Sequence, residues 1–159
     1  MLVTINTDAS FNLKAKIGTY AFWAVCNDWK ICKYGSFKGE VLDSTEAEMK
    51  CIINALFMVL TQPGMKRISR IIINTDSLIS VNAYHGWNGL GYKAKNRWKP
   101  LIKCLRKVIM DYRPDMLNRV ELRHVKAHEG TDTARQWVND WCDKHAKKAM
   151  NESLIRISA

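Results

Sequence analysis

Two apolar segments of the sequence end in the same tripeptide, Asn-Thr-Asp. Residues 2–5 precede Asn6-Thr7-Asp8, and residues 71–73 precede Asn74-Thr75-Asp76. The carboxyl ends of neighbouring parallel strands meet at one edge of a sheet, where open α/β folds place their ligands. Two carboxylates at such an edge repel each other unless protons or cations intervene, so the pattern predicts a divalent-metal site with Asp8 and Asp76. The alternative is that each Asp only ends a strand and caps the next helix.

The net charge of the chain is unusual, although its size and apolar content are ordinary. The 159 residues, 47% of them apolar, are expected to form one domain over residues 1–159. The 25 Lys and Arg residues exceed the 15 Asp and Glu residues and give a formal charge of +10. This excess favours a polyanionic partner, with nucleic acid first and an acidic membrane surface second.

The five cysteines include no C-x-x-C pair, and no secretory signal pattern is present. An odd number of cysteines in this context indicates free thiols and a reducing compartment. No apolar run reaches the length of a membrane span. We therefore expect a soluble protein of the cytoplasm without a membrane partner.

The order of the secondary-structure patterns predicts an α/β fold. Strands are predicted at residues 2–8, 18–26, 30–37, 70–74 and 119–125, and helices at residues 44–60, 77–84, 95–112 and 133–151. Pro100 is expected to mark the start of its helix or a kink. Three consecutive strands followed by alternating helices and strands indicate a five-stranded mixed sheet, three strands antiparallel and then two parallel, with helices packed on it.

A third carboxylate is predicted on the inner side of the first helix. Ile52, Ala55 and Val59 form an apolar stripe at helical spacing, and four residues before Ile52 lies Glu48. A carboxylate on a buried helix face is costly unless a cation or hydrogen bonds compensate it. The alternative is a capping box with Thr45 as N-cap and Glu48 three residues later.

The last helix offers a fourth carboxylate, for which the spacing leaves two candidates. Asp143 follows the apolar pair Trp141-Cys142 and lies one turn beyond Asn139, whereas Asp140 lies on a neighbouring face. Spacing alone does not choose between them, and a solvated acid on a helix is the default for either.

These segments together resemble the ribonuclease H type 1 family. The resemblance rests on five segments in order along nearly the whole chain: Thr7-Asp8-Ala9-Ser10; Glu46-Ala47-Glu48 followed by Ala55-Leu56; Asn74-Thr75-Asp76-Ser77; residues 125–130; and Asn139 to Asp143 with Ala146 after them. It implies a ribonuclease H-like fold and four acids that bind two Mg²⁺ ions. It also assigns the fourth acid to Asp143 through the Asn-x-x-x-Asp pattern. The resulting ligand set is Asp8, Glu48, Asp76 and Asp143, with Mn²⁺ as a possible substitute metal.

The resemblance also places a histidine beside the metal site. His128 occupies the family's loop histidine position, which implies proton transfer or assistance in product release, and an imidazole titrates near neutrality. A rival interpretation pairs His128 with His124 as zinc ligands. A strand is predicted to end between them, and no coherent set of four zinc ligands accompanies them.

Basic and aromatic residues alternate between residues 87 and 107, where some ribonucleases H carry a basic protrusion. The positions expected to contact the substrate there are Trp87, Lys93, Lys95, Arg97 and Trp98. The alternative is a solvated helix face with Trp98 packed inside. The other positions expected to contact the substrate are Asn12, Lys14, Ser44, Thr45 and Asn139. Lysines neutralise phosphates, and aromatic rings pack on sugars.

The sequence departs from the family pattern where the RNA strand is recognised. The usual Thr-Asn-Asn before the helix glutamate is replaced by Asp43-Ser44-Thr45, the glutamine after Asp-Ser by Leu78, and the glycine-rich loop by residues 11–14. Asn12, Ser44 and main-chain amides are the remaining groups that could recognise a 2′-hydroxyl.

The expected function is endonucleolytic hydrolysis of the RNA strand of RNA–DNA hybrids by two-metal-ion catalysis, leaving 5′-phosphate and 3′-hydroxyl ends. The alternatives are a related nuclease for double-stranded RNA or branched DNA, and a non-catalytic nucleic-acid-binding module of the same fold. We expect a monomer without an obligate protein partner. The repetition of Asn-Thr-Asp as such is interpreted as coincidental, in contrast to the shared position of the two Asp residues.

Overall fold

A mixed β-sheet lies at the centre of the computed structural model, which describes residues 1–64, 67–86, 92–126 and 133–159, without the side chains of residues 92–95. Its strands are β1 (Leu2–Asn12), β2 (Ile17–Val25), β3 (Lys30–Ser36), β4 (Arg70–Thr75) and β5 (Val120–His124). Within these residues the strand order is β3-β2-β1-β4-β5. β2 pairs antiparallel with β1 and β3, whereas β4 pairs parallel with β1 and β5, as the sequence predicts.

Four helices and a short 3₁₀ turn complete the described fold. They are α1 (Ser44–Leu60), α2 (Leu78–His85), α3 (Tyr92–Tyr112), the 3₁₀ turn Pro114–Met116 and α4 (Ala134–Ser158). α1 has the predicted bounds. α3 begins three residues before its predicted start, so Pro100 lies inside the helix and does not begin it. α4 extends seven residues beyond its predicted end, because no glycine or proline interrupts residues 152–158.

The two faces of the sheet are covered differently. Apolar residues of β1, β2, β4, α1 and α3 contribute to the main core on one face, and its largest fully buried side chains include Ile5, Phe22, Ile52, Ile73 and Leu105. α4 covers the other face of β1, β2 and β3. There the small buried residues Ala21, Cys142 and Ala146 let the helix approach closely. Burial on both faces explains the unbroken apolar run in β4.

β1 is longer than predicted, and this changes the place of Asp8. β1 pairs with β4 only as far as Asn6, opposite Asn74, but with β2 as far as Asn12. Asp8 therefore lies within a strand rather than at its end, at the point where the partner β4 stops. The prediction that each tripeptide closes its strand is wrong for β1, while β4 ends at Thr75, directly before Asp76.

α2 covers the outer edge of β5, which has no strand beyond it within the described residues. The Tyr84 hydroxyl donates to the carbonyl of Val120 at 3.0 Å, and the amide of Leu122 donates to Nε2 of His85 at 3.3 Å. These contacts satisfy main-chain groups that would otherwise offer a template for another strand. No helix in the described part of the chain has the length and apolar character needed to cross a bilayer.

Replacing Ile73 by Ala tests the main core. Ile73 is fully buried, so removing three carbons is expected to cost about 2–5 kcal/mol of unfolding free energy. Ile157→Ala is the matched control, because Ile157 is 62% exposed and its loss is expected to change stability by less than about 0.5 kcal/mol. Urea unfolding measures both variants, and equal losses would contradict this assignment of the core.

Candidate active site

Three carboxylates from three different elements meet at the edge of the sheet. Asp8 comes from β1, Glu48 from α1, and Asp76 directly follows β4; one oxygen of each lies within 4.8 Å of the others. These three predicted acids are therefore brought together, although they are 40 and 28 residues apart in sequence. Strand register places the two Asp residues, and the inward face of α1 places Glu48.

A single main-chain amide orients two of these carboxylates. The amide of Ala9 donates to Asp8 Oδ1 at 2.9 Å and to Glu48 Oε1 at 3.1 Å. Glu48 is 9% exposed, and its other oxygen, Oε2, is buried without a hydrogen-bond partner among the described residues. A buried carboxylate oxygen without a partner is costly, and a cation is one group that would compensate it.

The capping-box interpretation of Glu48 is wrong. The N-cap of α1 is Asp43, whose Oδ1 accepts from the amide of Glu46 at 2.8 Å. Glu46 in turn accepts from the amide of Leu42 at 2.6 Å. Thr45 lies inside the helix, so the N-cap is Asp43 and Glu48 takes part in the carboxylate cluster instead.

Burial and mutual repulsion disfavour the charged forms of these acids. The pKa of Asp8 is raised to about 7, first by burial and then by the negative charges of Asp76 and Asp143. The pKa of Glu48 is also raised well above its ordinary value, by burial and by Asp8 and Asp76. Without cations, the cluster therefore holds protons at a pH where isolated carboxyl groups have lost them.

Asp143 lies within electrostatic reach of this group but outside its closest part. The three-carboxylate cluster does not include it, whereas its negative charge raises the pKa of Asp8. Asp143 Oδ2 accepts from Lys147 at 3.0 Å. The rival Asp140 forms an ion pair with Lys144 at 2.8 Å. The geometry thus associates Asp143 rather than Asp140 with the cluster.

The repeated asparagines form a buried pair beneath the two Asp residues. Asn6 lies opposite Asn74 in the register of β1 and β4, and Asn74 Nδ2 donates to Asn6 Oδ1 at 3.1 Å. Thr7 Oγ1 adds a hydrogen bond to the carbonyl of Asn74 at 3.3 Å. The asparagines of the repeat therefore have a shared structural role, which the interpretation of the repeat as coincidental did not include. The sequence contained a signal for this pair: each Asn precedes the following Asp by two residues, so the two side chains point to the same face of the sheet.

The residues predicted to contact substrate are spread around this edge. Lys14 and Ser44 are exposed, while Thr45, Asn12 and Asn139 are half-buried. Asn12 Oδ1 caps the β1–β2 turn by accepting from the amide of Ala15 at 2.8 Å. The side chain of Asn12, which is predicted to contact the substrate, is thus engaged in this turn.

The predicted basic and aromatic segment is only partly described. Arg97 forms an ion pair with Asp43 and lies 4.4 Å from the centre of the Trp98 ring. Trp98 is 6% exposed and belongs to the main core, which contradicts its prediction as a substrate contact and agrees with the alternative. Trp87 and His128 lie outside the described residues, as do the side chains of Lys93 and Lys95.

The zinc alternative gains no support from the part of the chain that the structure describes. His124 ends β5 and is exposed, and the group of possible metal ligands found among the described residues consists of Asp8, Glu48 and Asp76. His128, which the zinc interpretation pairs with His124, lies outside the described residues.

A mixed sheet with acidic residues grouped beside its parallel strands is the architecture of ribonuclease H-like proteins. The family model of RNase H matches residues 2–151, and the chain belongs to this family. This membership supports RNA–DNA hybrid nuclease activity as its general class of function. The comparison with curated proteins gave no match.

Solved structures with the same fold are distant in sequence. LC11-RNase H1 in complex with an RNA/DNA hybrid has 15% identity and a TM-score of 0.70, covering 96% of this chain and 99% of its own. The N-terminal RNase H domain of a Mycobacterium tuberculosis protein has 15% identity and a TM-score of 0.68, covering 99% of both chains. RNase H1 from Halobacterium salinarum has 15% identity and a TM-score of 0.64, covering 96% and 99%. At this identity the likeness shows the fold.

The raised pKa of Asp8 predicts how the stability of the metal-free protein depends on pH. The folded pKa of about 7 lies above the ordinary 3.8, so between these values the folded state binds more protons than the unfolded state. The unfolding free energy therefore falls as pH rises through this window. Urea unfolding in EDTA should show a more stable protein at pH 5 than at pH 8. Asp8→Asn should flatten this dependence and Asp140→Asn should not; equal slopes in all three proteins would contradict the assignment.

The Asn6–Asn74 pair is testable by a double-mutant cycle. Asn6→Ala leaves the amide of Asn74, which is 1% exposed, without its acceptor and is expected to cost about 1–3 kcal/mol. The double variant with Asn74→Ala should lose less than the sum of the two single losses. Asn151→Ala on the exposed side of α4 is the control. Strict additivity in urea unfolding would show that the two side chains do not interact.

Proposed function

We propose that this chain is a metal-dependent endoribonuclease that hydrolyses the RNA strand of RNA–DNA hybrids and leaves 5′-phosphate and 3′-hydroxyl ends. The observation that carries the proposal is the cluster of Asp8, Glu48 and Asp76, with Asp143 nearby, in a member of the RNase H family. A hybrid bound to LC11-RNase H1, which has the same fold, supports the choice of substrate.

The donor set of the cluster fits magnesium. Mg²⁺ prefers carboxylate oxygens, and Oε2 of Glu48, which has no hydrogen-bond partner among the described residues, lies in a group of acids that burial holds partly protonated. Asp8, Glu48, Asp76 and Asp143 would hold two ions, for which Mn²⁺ could substitute. Bound ions of this kind stabilise the attacking and leaving oxygens of an in-line displacement at phosphorus.

The protein's own contribution is to fix the carboxylates before substrate arrives. The amide of Ala9 holds one oxygen each of Asp8 and Glu48, and the Asn6–Asn74 pair joins the strands that carry the two Asp residues. Preorganised groups need no rearrangement when charge develops in the reaction. Lys14, Arg97 and the lysines at positions 93 and 95 are proposed to contact phosphates, and His128 to transfer protons or assist product release.

One observation favours a second candidate, a nuclease with weaker discrimination between hybrid and other duplexes. Leu78, in place of a glutamine, begins α2 two residues after Asp76 and is 52% exposed. An apolar side chain there cannot donate or accept a hydrogen bond in the minor groove. Cleavage of double-stranded RNA or branched DNA is therefore the alternative to strict hybrid specificity.

The cellular setting is proposed from the thiols and the charge. All five cysteines are free, and Cys51 and Cys142 are buried beside the site. Free thiols of this number suit a reducing cytoplasmic compartment. We propose that the protein acts there as a monomer without an obligate protein partner.

Cleavage assays with carboxylate variants test the proposed activity. Purified protein with millimolar Mg²⁺ should cut labelled RNA–DNA hybrid, and Asp8→Asn, Asp76→Asn or Asp143→Asn should each lower the rate by about 10²-fold or more, in the range of lost transition-state stabilisers. Asp140→Asn on the same helix is the matched control and should keep the rate within about twofold. Assays run in parallel with double-stranded RNA and branched DNA measure substrate selectivity. Binding of every substrate without cleavage would contradict the proposed enzymatic activity.

Metal binding is measurable without activity. Millimolar Mg²⁺ should raise the melting temperature of the wild type, because binding to the folded state alone stabilises it. The increase should disappear in Asp8→Asn and remain in Asp140→Asn. A melting temperature that Mg²⁺ leaves unchanged in the wild type would contradict the metal site.

A further inference from the structure

A second charged site lies at the opposite ends of β4 and β5 from the carboxylates. A cavity of about 560 Å³ is lined there by Arg70 at the start of β4, Arg106 of α3, and Asn118, Arg119 and Glu121 around the start of β5. Arg70 and Asp76 are six residues apart along an extended chain, which separates them by about 20 Å. The cavity is therefore distinct from the candidate active site.

The single carboxylate at this cavity is already engaged by arginines. Glu121 accepts from Arg70 at 2.7 Å through one oxygen and from Arg123 at 2.9 Å through the other. These hydrogen bonds, that from Arg123 foremost, lower the pKa of Glu121 to about 2, so it stays charged at neutral pH. Its charge is thus shared by two guanidinium groups. Among the described residues Arg106 forms no ion pair, and the negative charge that reaches Arg119 is that of Asp115, which Arg113 already binds at 2.8 Å.

Arg106 and Arg119 are exposed residues, held respectively through a side-chain and through main-chain hydrogen bonds. Arg106 Nη2 donates to the carbonyl of Tyr84 at 3.0 Å, and its guanidinium carbon lies 5.8 Å from the Tyr84 ring centre. The main chain of Arg119 donates to Met116 at 2.8 Å and accepts from Ile71 at 2.9 Å. No described residue accepts a hydrogen bond from the Arg119 side chain. The guanidinium of Arg106 is therefore held by its contact with Tyr84, whereas Arg119 is held through its main chain; both residues line the same cavity.

We propose that this cavity binds a phosphate group, carried either by a free nucleotide or by a nucleic-acid strand, through Arg106 and Arg119. The planar guanidinium fork matches phosphate oxygens and forms charge-assisted hydrogen bonds with them. Convergence of like charges from α3 and the turn before β5 is unfavourable in isolation, and an anion relieves it. The exposed amide of Asn118 adds a neutral donor at the rim.

Amide NMR titrations of the full chain, with and without Mg²⁺, test the site directly. The probes are inorganic phosphate, AMP and a short single-stranded RNA. Each should shift the resonances of Asn118, Arg119 and Val120 in a saturable manner that Mg²⁺ does not alter, whereas binding at the carboxylates would require Mg²⁺. Stronger binding of AMP than of phosphate and RNA identifies a nucleotide site, and stronger binding of RNA identifies a strand contact. Equal affinities identify recognition of the phosphate alone.

Substitutions that should weaken or strengthen phosphate binding test the proposal. Arg119→Ala should weaken phosphate binding about tenfold, the size expected for a lost charge-assisted hydrogen bond. Glu121→Gln should strengthen it, because it removes the negative charge that Arg70 and Arg123 now neutralise. Arg156→Ala, at the exposed end of α4, removes the same charge and should leave the affinity unchanged. Melting temperatures show that each variant is folded.

Two results would overturn the site. One is a set of shifts around Arg119 no larger than those around Arg156 with every probe. The other is an equal loss of affinity in Arg119→Ala and Arg156→Ala, since it would show attraction by net charge only. Neither result bears on hybrid cleavage, which depends on the carboxylates about 20 Å away.

Discussion

The parallel pairing of β1 with β4 is the constraint on which the site depends. It ends with Asn6 opposite Asn74, and the buried hydrogen bond between their side chains fixes this register. A slip of one residue would turn Asp8 towards the other face of the sheet and separate it from Asp76. Glu48 and Asp143 come from helices packed on β1, so their positions also follow from this strand.

Bringing these acids together costs folding free energy, and the packing around them must compensate for this cost. One amide, that of Ala9, serves two carboxylates, and Oε2 of Glu48 has no described partner. The strands that carry the Asp residues are buried on both faces, with Ile5 and Ile73 fully excluded from solvent. A rigid core thus holds like charges closer than they would stay on a mobile loop, as preorganised metal sites require.

The sequence predicted the elements and the three clustered acids, but not the contacts that depend on pairing. α1 was predicted to the residue because Gln62-Pro63-Gly64 follows it and its apolar stripe is regular. The extension of β1 was missed although residues 8–12 alternate between polar and apolar side chains, because Asp8 was interpreted as the end of the strand; pairing with β2 defines its full length. Burial of Trp98 was available from the sequence as an alternative to substrate contact, because a helix turns Trp98 to a different side from its basic neighbours Arg97 and Lys99; only the packing of α3 shows that it applies.

The distribution of charge suggests a second role for the proposed metal, which is to control the approach of phosphates to the carboxylates. A net charge of +10 attracts polyanions to the whole surface, whereas Asp8, Glu48 and Asp76 create a local negative potential that repels them. Protonation relieves this repulsion below the raised pKa of Asp8, but protons provide no ligand for a phosphate oxygen. Two divalent cations on the four proposed ligands would neutralise the local negative charge and offer such a ligand. Under the proposed function, phosphates are attracted to the basic surface in every case and would approach the carboxylates once cations are bound there.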